Sequence, residues 1–255
     1  MAFREADLSR DQFLGGALSL WQPKAGYRAG IDPVLLAASV RASAGDHVLD
    51  LGCGAGAALF CLGRRVPELE LHGLEIQPDY ADLARKNAVA NDLSAEIHLG
   101  DVAAVPKTLT ALSFDHVLAN PPYYPDGSTT RAQDAGRAMA LSEDAPLRDW
   151  VEVAYKRLKP KGYCTFIQRA DRLVDLLVAY EPFLGSIRIR PIAARVGRSA
   201  ALVIVSGRKD GKAAPVLDPP LVLHASDAHR SDRKDYRPEI EAVLWDGKSL
   251  PEAAN

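Results

Sequence analysis

Short apolar runs alternate with helical stretches from residue 47 onward, and this alternation constrains the fold more than any other feature of the sequence. The runs have the length of buried strands, and helix-period segments such as 80–90 and 147–158 separate them. The runs are 47–51, 70–76, 95–99, 114–119 and 162–168. Repeated strand–helix–strand units predict an α/β fold with a mostly parallel twisted sheet and helices on both faces.

Two later apolar runs, 186–192 and 201–206, are joined by a loop that is too short for a helical crossover. They predict an antiparallel hairpin toward the C-terminus. The glycine-rich residues 1–30 predict short strands and turns. Asp32 as N-cap and Pro33 as the first helical residue predict a helix that begins there.

The strand at 47–51 runs into a glycine-rich turn that contains Gly52, Gly54 and Gly56. Such a turn binds a nucleotide at the carboxyl edge of a parallel sheet, because glycines let a ligand approach the backbone. The glycines alone also fit a relaxed dinucleotide fingerprint, so an NAD-dependent dehydrogenase is a rival interpretation. Asp50 favours S-adenosyl-L-methionine (AdoMet), since its carboxylate would face the pyrophosphate of NAD but can position the ammonium group of AdoMet.

Two more acids follow neighbouring predicted strands. Glu75 ends the second strand, where a carboxylate can accept hydrogen bonds from both ribose hydroxyls of either cofactor. Asp101 follows the third strand and can accept from an adenine amino group, which suits AdoMet better. Each acid alone also reads as a solvated loop residue, but their position at successive strand ends favours one cofactor site.

Asn120, Pro121, Pro122 and Tyr123 follow the strand at 114–119 and predict a rigid catalytic corner, because each proline restricts the backbone. The Asn120 side-chain carbonyl and the Pro121 main-chain carbonyl supply two acceptors, and Tyr123 supplies an aromatic face. Two acceptors that hold a planar amine in line with an electrophilic methyl group suit methyl transfer to nitrogen. The alternative is a simple turn that closes a strand.

Composition and residue spacing further limit the class of protein to which this chain can belong. No apolar run approaches ~20 residues and the N-terminus is charged, so we expect a cytoplasmic protein without a membrane segment. Cys53, Cys61 and Cys164 are widely spaced and argue against disulfides and a zinc site. The polar residues around His224 and His229 predict a loop, and we expect no metal.

With these motifs placed, the chain resembles the class I AdoMet-dependent methyltransferases, which have a Rossmann-like fold, and in particular the bacterial tRNA (valine) adenine-N6 methyltransferases. The segment from Gln22 to Asp32 points to this subgroup, and the resemblance covers most of residues 10–210. It implies AdoMet as cofactor and N6 of a tRNA adenosine beside the anticodon as target. The implied cofactor residues are Arg28, Asp32, Asp50, Gly52, Gly54, Glu75, Ile76, Asp101, Val102 and Asn120, and the implied catalytic residues are Asn120, Pro121, Pro122 and Tyr123.

The resemblance also implies one domain with three parts: a cofactor-capping segment (1–44), a catalytic core (45–210) and a C-terminal extension (211–255). Other targets of this chemistry are an rRNA base or a protein glutamine side chain. Release-factor glutamine methyltransferases would need a helical substrate domain in front, and DNA adenine methyltransferases a target-recognition domain. Guanine-N2 rRNA enzymes usually carry Phe or Trp at the position of Tyr123. A non-catalytic RNA-binding protein of the same fold is a further alternative.

The charge is unevenly distributed along the chain. Residues 186–237 carry 11 Lys/Arg and 5 Asp/Glu, whereas the whole chain has a net charge of −2. We expect the hairpin to gather these cations into a surface that contacts phosphates of a tRNA anticodon stem-loop, with Arg195 and Arg198 in its turn. The alternative is a solvated segment with scattered charge.

Overall fold

A computed structural model of the protein describes residues 3–122, 146–226 and 235–252. The strands are β1 (Leu8–Phe13), β2 (Leu18–Pro23), β3 (His47–Leu51), β4 (Glu70–Glu75), β5 (Ala95–Leu99), β6 (Phe114–Ala119), β7 (Leu158–Arg169), β8 (Gly185–Ala193), β9 (Ala200–Arg208), β10 (Val216–Leu217) and β11 (Leu221–Val222). The α-helices are α1 (Asp32–Ser39), α2 (Ala57–Arg65), α3 (Pro78–Ala90), α4 (Lys107–Thr110), α5 (Leu147–Arg157), α6 (Leu173–Tyr180) and α7 (Pro238–Asp246).

The central sheet has the strand order β10-β8-β9-β7-β6-β3-β4-β5, with β11 also paired to β8. Among the described strands of this sheet, β9 alone runs against its neighbours. The predicted mostly parallel sheet and the β8–β9 hairpin are therefore confirmed. The short strands β10 and β11, which belong to the predicted C-terminal extension, pair with the outer edge of β8.

Two apolar cores sandwich the sheet. One face carries Val48, Leu118 and Ile204 and packs against α1, α2, α3 and α7. The opposite face carries Leu49 and Leu51 and packs against α4, α5 and α6. Neighbouring residues of β3 point to opposite cores, because side chains alternate along a strand. Nearly continuous apolar runs are what a sheet covered on both faces requires.

The first helix begins one residue differently from the prediction. Asp32 is the first residue of α1 and Ile31 precedes it as the N-cap, with no side-chain capping bond at that position. Ile31 is already in the right-handed helical region, so Asp32 lies within the first turn of α1. An acid in the first turn still complements the helix dipole.

The N-terminal hairpin of β1 and β2 is attached to α3 by two buried amide side chains. Asn87 accepts from the Trp21 amide at 2.8 Å and donates to the carbonyls of Trp21 and Ala55 at 3.0 and 2.9 Å. Asn91 accepts from the Ser19 amide at 2.9 Å and donates to its carbonyl at 2.8 Å. Each amide thus satisfies strand groups that would otherwise be buried without partners.

Strand register shows at which end of the parallel strands the turn of the β8–β9 hairpin lies. The last residue of β7, Arg169, pairs with Leu202, and Tyr163 pairs with Arg208. The start of β9 therefore lies at the carboxyl ends of the parallel strands, and so does the turn at 194–199. The end of β9 lies at the opposite edge. No helix within the described ranges has the length and apolar character needed to cross a membrane.

Candidate functional site

A cavity of about 820 Å³, open to solvent on one side, lies at the carboxyl ends of β3, β4 and β6. This volume includes solvent space at the open mouth of the cavity. Six of the predicted site residues line it: Asp50, Gly52, Gly54, Glu75, Asn120 and Pro122. The other lining residues are Gln22, Tyr27, Ala29, Pro33, Cys53, Ala55, Ala57, Ala58, Gln77, Tyr80 and Trp150.

The glycine-rich turn forms the floor of this cavity. Gly52, Gly54 and Gly56 have φ values of 66°, 55° and 90°, in the left-handed region that favours glycine. A Cβ atom at Gly52 would lie 2.7 Å from the Trp150 ring, so a side chain there would displace the indole. The amides of Gly52 and Cys53 both donate to the Leu74 carbonyl, at 2.8 and 3.0 Å, which holds the turn against β4.

Glu75 connects the turn to the end of β4. Its Oε2 accepts from the Gly54 amide at 2.8 Å and its Oε1 from the Gln77 amide at 2.9 Å. Burial raises the pKa of Glu75, and the backbone N–H groups that it accepts partly oppose that rise. An ionised carboxylate has about four lone-pair sites, so two backbone bonds leave capacity for ligand hydroxyls.

Asp50 lies near the end of β3 and is 3% exposed. Burial raises the pKa of Asp50 well above its usual range, and the nearby Glu75 carboxylate raises it further. Two buried acids that line one cavity repel each other when both are ionised. A cationic ligand group in this cavity would relieve that repulsion.

Tyr27 bridges the N-terminal segment and the catalytic corner. The Asn120 amide nitrogen donates to the Tyr27 hydroxyl at 3.3 Å, and the Tyr80 hydroxyl donates to the Tyr27 carbonyl at 3.1 Å. Burial of its hydroxyl and the carboxylates of Asp32 and Asp50 raise the pKa of Tyr27 to about 12, although 45% of the residue surface is exposed. The phenol therefore stays protonated at neutral pH.

The predicted catalytic corner begins where β6 ends. Asn120 follows the last residue of β6, Pro121 is buried and Pro122 is half-buried beside the cavity. The rigid dipeptide therefore follows a fully buried strand end, as the sequence predicts. Tyr123 lies outside the residues that the structure describes.

A polar network fixes the N-terminal wall of the cavity. Gln22 is 2% exposed, donates to Asp11 at 2.7 Å and accepts from the Ala29 amide at 2.7 Å. Arg28 forms an ion pair with the same Asp11 oxygen at 2.7 Å. The Arg28 guanidinium thus supports this wall from its outer side, and Arg28 is not among the lining residues.

Four further predicted cofactor residues also lie outside the lining set. Asp32 begins α1 close enough to Tyr27 to affect its pKa. Ile76 follows Glu75 and is half-buried, Val102 packs in a core, and Asp101 accepts from the Ala103 amide at 2.9 Å. Asp101 and Val102 follow β5, which is one strand beyond Glu75 at the same edge.

Four residues without a predicted site role also line the cavity: Gln22, Tyr27, Tyr80 and Trp150. Gln22 and Tyr27 belong to the segment that indicated the subgroup, so their position was a usable signal. Trp150 is a packing residue, and its ring packs against Gly52 of the glycine-rich turn. No sequence signal connects Tyr80 on α3 with the Tyr27 carbonyl, because only the fold brings them together.

The expected single cluster of cations on the hairpin is wrong. Arg188 pairs with Asp218, Arg190 donates to the Pro251 carbonyl at 2.9 Å, and Arg195 pairs with Asp235 at 2.7 Å. These cations neutralise or cap other parts of the chain.

Two of the remaining cations lie at the opposite ends of the strands from the cavity. Arg208 ends β9 and Lys209 follows it, at the amino ends of the parallel strands. Arg198 is exposed and lies in the turn at the carboxyl edge, on the same side as the cavity. His224 lies 3.7 Å from Asp235. The basic residues Arg230, Arg233 and Lys234 and the polar residue His229 lie outside the described residues.

Two relatives of this chain carry the same activity name. A tRNA1(Val) (adenine(37)-N6)-methyltransferase of Porphyromonas gingivalis is 35% identical over 58% of this chain and 61% of its own length. The enzyme of the same name from Actinobacillus succinogenes is 30% identical over 72% of this chain and 78% of its own length. The chain thus matches somewhat under two thirds of the first relative.

Solved structures agree on the fold. A protein of Agrobacterium tumefaciens described as a predicted O-methyltransferase superposes with a TM-score of 0.70, at 23% identity, over 86% of this chain and 98% of its own. A 16S rRNA N2 methyltransferase of T. thermophilus, solved with AdoMet and guanosine, superposes with a TM-score of 0.54, at 21% identity, over 79% of this chain and 50% of its own. The family model described as the methyltransferase small domain matches residues 29–171, and the chain therefore belongs to the methyltransferase small domain family.

Proposed function

We propose that this protein is an AdoMet-dependent N-methyltransferase that methylates N6 of an adenosine in tRNA. The observation that carries the proposal is that Asp50 and Glu75, two buried carboxylates, line the same cavity as Asn120. The names of the two relatives support adenine-37 of a valine tRNA as the target.

The donor set fits AdoMet better than NAD. When bound, AdoMet supplies an electrophilic methyl group on a positively charged sulfonium, and it also carries an ammonium group. Asp50 would hold this ammonium, and Glu75 would accept from the ribose hydroxyls. The pyrophosphate of NAD would instead place negative charge against both acids. Gly52 and Gly54 let the ligand approach the backbone closely.

We propose the remaining cofactor contacts from their place at the sheet edge. Ile76, Asp101 and Val102 follow β4 and β5 and would border the adenine of AdoMet. Asp32 would border its methionine end. Arg28 would act through Asp11 and Gln22, by keeping the wall at Ala29 in place. In this reading residues 1–44 cap the cofactor, 45–210 form the catalytic core and 211–255 extend it.

Catalysis needs no strong base in this proposal. The exocyclic amine of adenine is a poor nucleophile because its lone pair is delocalised into the ring. The Asn120 side-chain carbonyl and the Pro121 main-chain carbonyl would accept hydrogen bonds from its two N–H groups, favour a more tetrahedral nitrogen and hold it in line with the methyl group, and the proton that the methylated nitrogen releases would pass to solvent. Pro122 would keep this corner rigid, and Tyr123 would stack on the flipped base.

The turn at 194–199 supports an RNA surface beside the cavity. Its strands, β9 and β8, lie two and three positions from β6, about 10–15 Å at the usual spacing between strands, and the turn between them lies at the end of the sheet that carries the cavity. We propose that Arg198 contacts a phosphate of the anticodon stem-loop and that the enzyme acts in the cytoplasm. Phosphate contacts position the RNA, while the cavity selects the base.

A panel of acceptors tests the assignment. The protein with labelled AdoMet is offered unmodified tRNA, 16S rRNA and a release-factor protein in separate reactions. Label in tRNA alone is the expected result. Label in rRNA or in protein glutamine would support the alternative targets, and no label in any acceptor, with RNA still bound, would support the non-catalytic alternative.

A further inference from the structure

Three side chains converge on the edge of the sheet that carries β4 and β5. His72 Nδ1 lies 3.2 Å from His98 Nε2, and the two rings stack with centroids 5.5 Å apart. Glu96 places Oε2 3.7 Å from His72 Nδ1 and Oε1 3.7 Å from His98 Nε2. The cluster joins two strands, because His72 pairs in register with Glu96 and Leu74 with His98.

The separation of the two nitrogens matches that of two ligands on one ion. Zinc binds histidine nitrogen at about 2.0–2.1 Å in tetrahedral geometry, which separates two such nitrogens by about 3.3–3.4 Å. The 3.2 Å between His72 and His98 is close to that value. The Glu96 oxygens are slightly farther away, and the Glu96 side chain is 62% exposed, so it has room to rotate toward the pair.

The surroundings favour oriented imidazoles. His72 and His98 are 9% and 6% exposed, and packing in the fold limits the rotation of both rings. The Thr108 hydroxyl lies 3.4 Å from His98 Nδ1. A proton on that nitrogen would leave Nε2 with its lone pair facing His72, as outer-shell partners of metal ligands do.

We propose that His72, Glu96 and His98 bind a divalent transition-metal ion of the zinc class, with water as the fourth ligand on the exposed side. Two imidazoles and one carboxylate are a donor set that zinc takes in proteins. The ion would attach the edge strand β5 to β4, below the strand ends that carry Glu75 and Asp101. Short ligand spacings in the sequence do not reveal this site, because the register of two strands forms it.

Zinc titration of the tag-free, chelator-treated full chain tests the site. We expect one Zn²⁺ per chain by calorimetry, a visible Co²⁺ spectrum typical of tetrahedral coordination, and a higher Tm with zinc. Glu96→Gln changes an exposed side chain and should weaken zinc binding at least about 10-fold, by analogy with altered metal shells. His98→Asn should abolish the site.

A matched control separates this site from general effects of buried histidines. His116 is also buried and faces one carboxylate, Asp46, at 3.3 Å, so His116→Asn should leave zinc affinity unchanged. The proposal is overturned if the wild-type chain binds no zinc, since the histidines then form only a hydrogen-bonded pair. Zinc binding that Glu96→Gln leaves intact also overturns it, and this variant stays informative if His98→Asn fails to fold.

Discussion

The amide nitrogen of Asn120 donates a hydrogen bond to the hydroxyl of Tyr27 at 3.3 Å, across 93 residues of sequence. This bond joins the catalytic corner to the N-terminal wall of the cavity. It also holds the Asn120 amide by its nitrogen end, so that its carbonyl is the acceptor end. The N-terminal wall of the cavity is therefore joined by this side-chain contact to the segment that we propose as the catalytic corner.

Removing the Tyr27 hydroxyl tests this coupling. Tyr27→Phe keeps the ring beside Gly54 and deletes the acceptor for Asn120. A neutral hydrogen bond contributes about 0.5–1.5 kcal/mol, so we expect kcat to fall about 2- to 12-fold with AdoMet affinity nearly unchanged. Steady-state kinetics with calorimetry measures both quantities. An equal loss of AdoMet affinity, with kcat retained, would assign Tyr27 to cofactor binding alone.

Asn120→Ala should abolish turnover and leave AdoMet affinity nearly intact. Its side-chain carbonyl is proposed to serve the target nitrogen, so the loss belongs in kcat. Cofactor calorimetry on the same preparation controls for folding of the cavity. Wild-type turnover by this variant on methylatable tRNA would refute the role of the corner.

Asp50→Asn should make the cofactor-free protein more stable at neutral pH. The pKa of Asp50 is raised in the folded state, so the folded state retains a proton that the unfolded state loses above about pH 4. The stability of the wild type therefore falls as the pH rises from about 4 toward the folded-state pKa of Asp50. We expect the variant to exceed the wild type in Tm at pH 7–8, with the difference shrinking toward pH 4.

The same variant should bind AdoMet more weakly. Loss of one charge-assisted hydrogen bond of about 1.5–3 kcal/mol corresponds to a 10- to 150-fold weaker affinity. Calorimetry measures this directly. Lower stability at pH 7–8 together with unchanged AdoMet affinity would contradict the assignment of Asp50 as the ligand of the ammonium group.

Arg198→Ala should reduce the salt dependence of tRNA binding. One lost phosphate contact flattens the slope of log affinity against log salt by about 0.7–0.9. Arg208→Ala is the matched control, because Arg208 ends β9 at the amino ends of the parallel strands, whereas Arg198 lies in the turn before β9 at their carboxyl ends. Equal changes in both variants would show that the turn has no special place in RNA binding.

Sequence periodicity predicted the parallel core well, because buried strands and amphipathic helices leave regular patterns. The strand bounds at 47–51, 95–99 and 114–119 agree with the structure residue for residue. The two-residue strands β10 and β11 were not predictable, since such short segments pair only because β8 offers an open edge.

The functional residues likewise differ in how far the sequence predicts them. Asp50, Glu75 and Asn120 were predictable because strand ends of a parallel sheet meet at one edge. The partners of Arg195 were not, because its pairing with Asp235 depends on how the C-terminal segment returns to the hairpin. Counting charge along the sequence therefore overestimated the number of cations that are available to RNA. Because Arg195 is paired with Asp235, replacing Arg195 and Arg198 together would alter folding as well as RNA contact.

Mass spectrometry of nucleosides after methyl transfer tests the central claim most directly. Unmodified valine tRNA is incubated with AdoMet that carries a deuterated methyl group, with the wild-type protein and with Asn120→Ala, and is then digested to nucleosides. We predict deuterated N6-methyladenosine from the wild-type reaction and none from the variant. Deuterium in another nucleoside only, or its absence from tRNA when AdoMet is bound, would contradict the account.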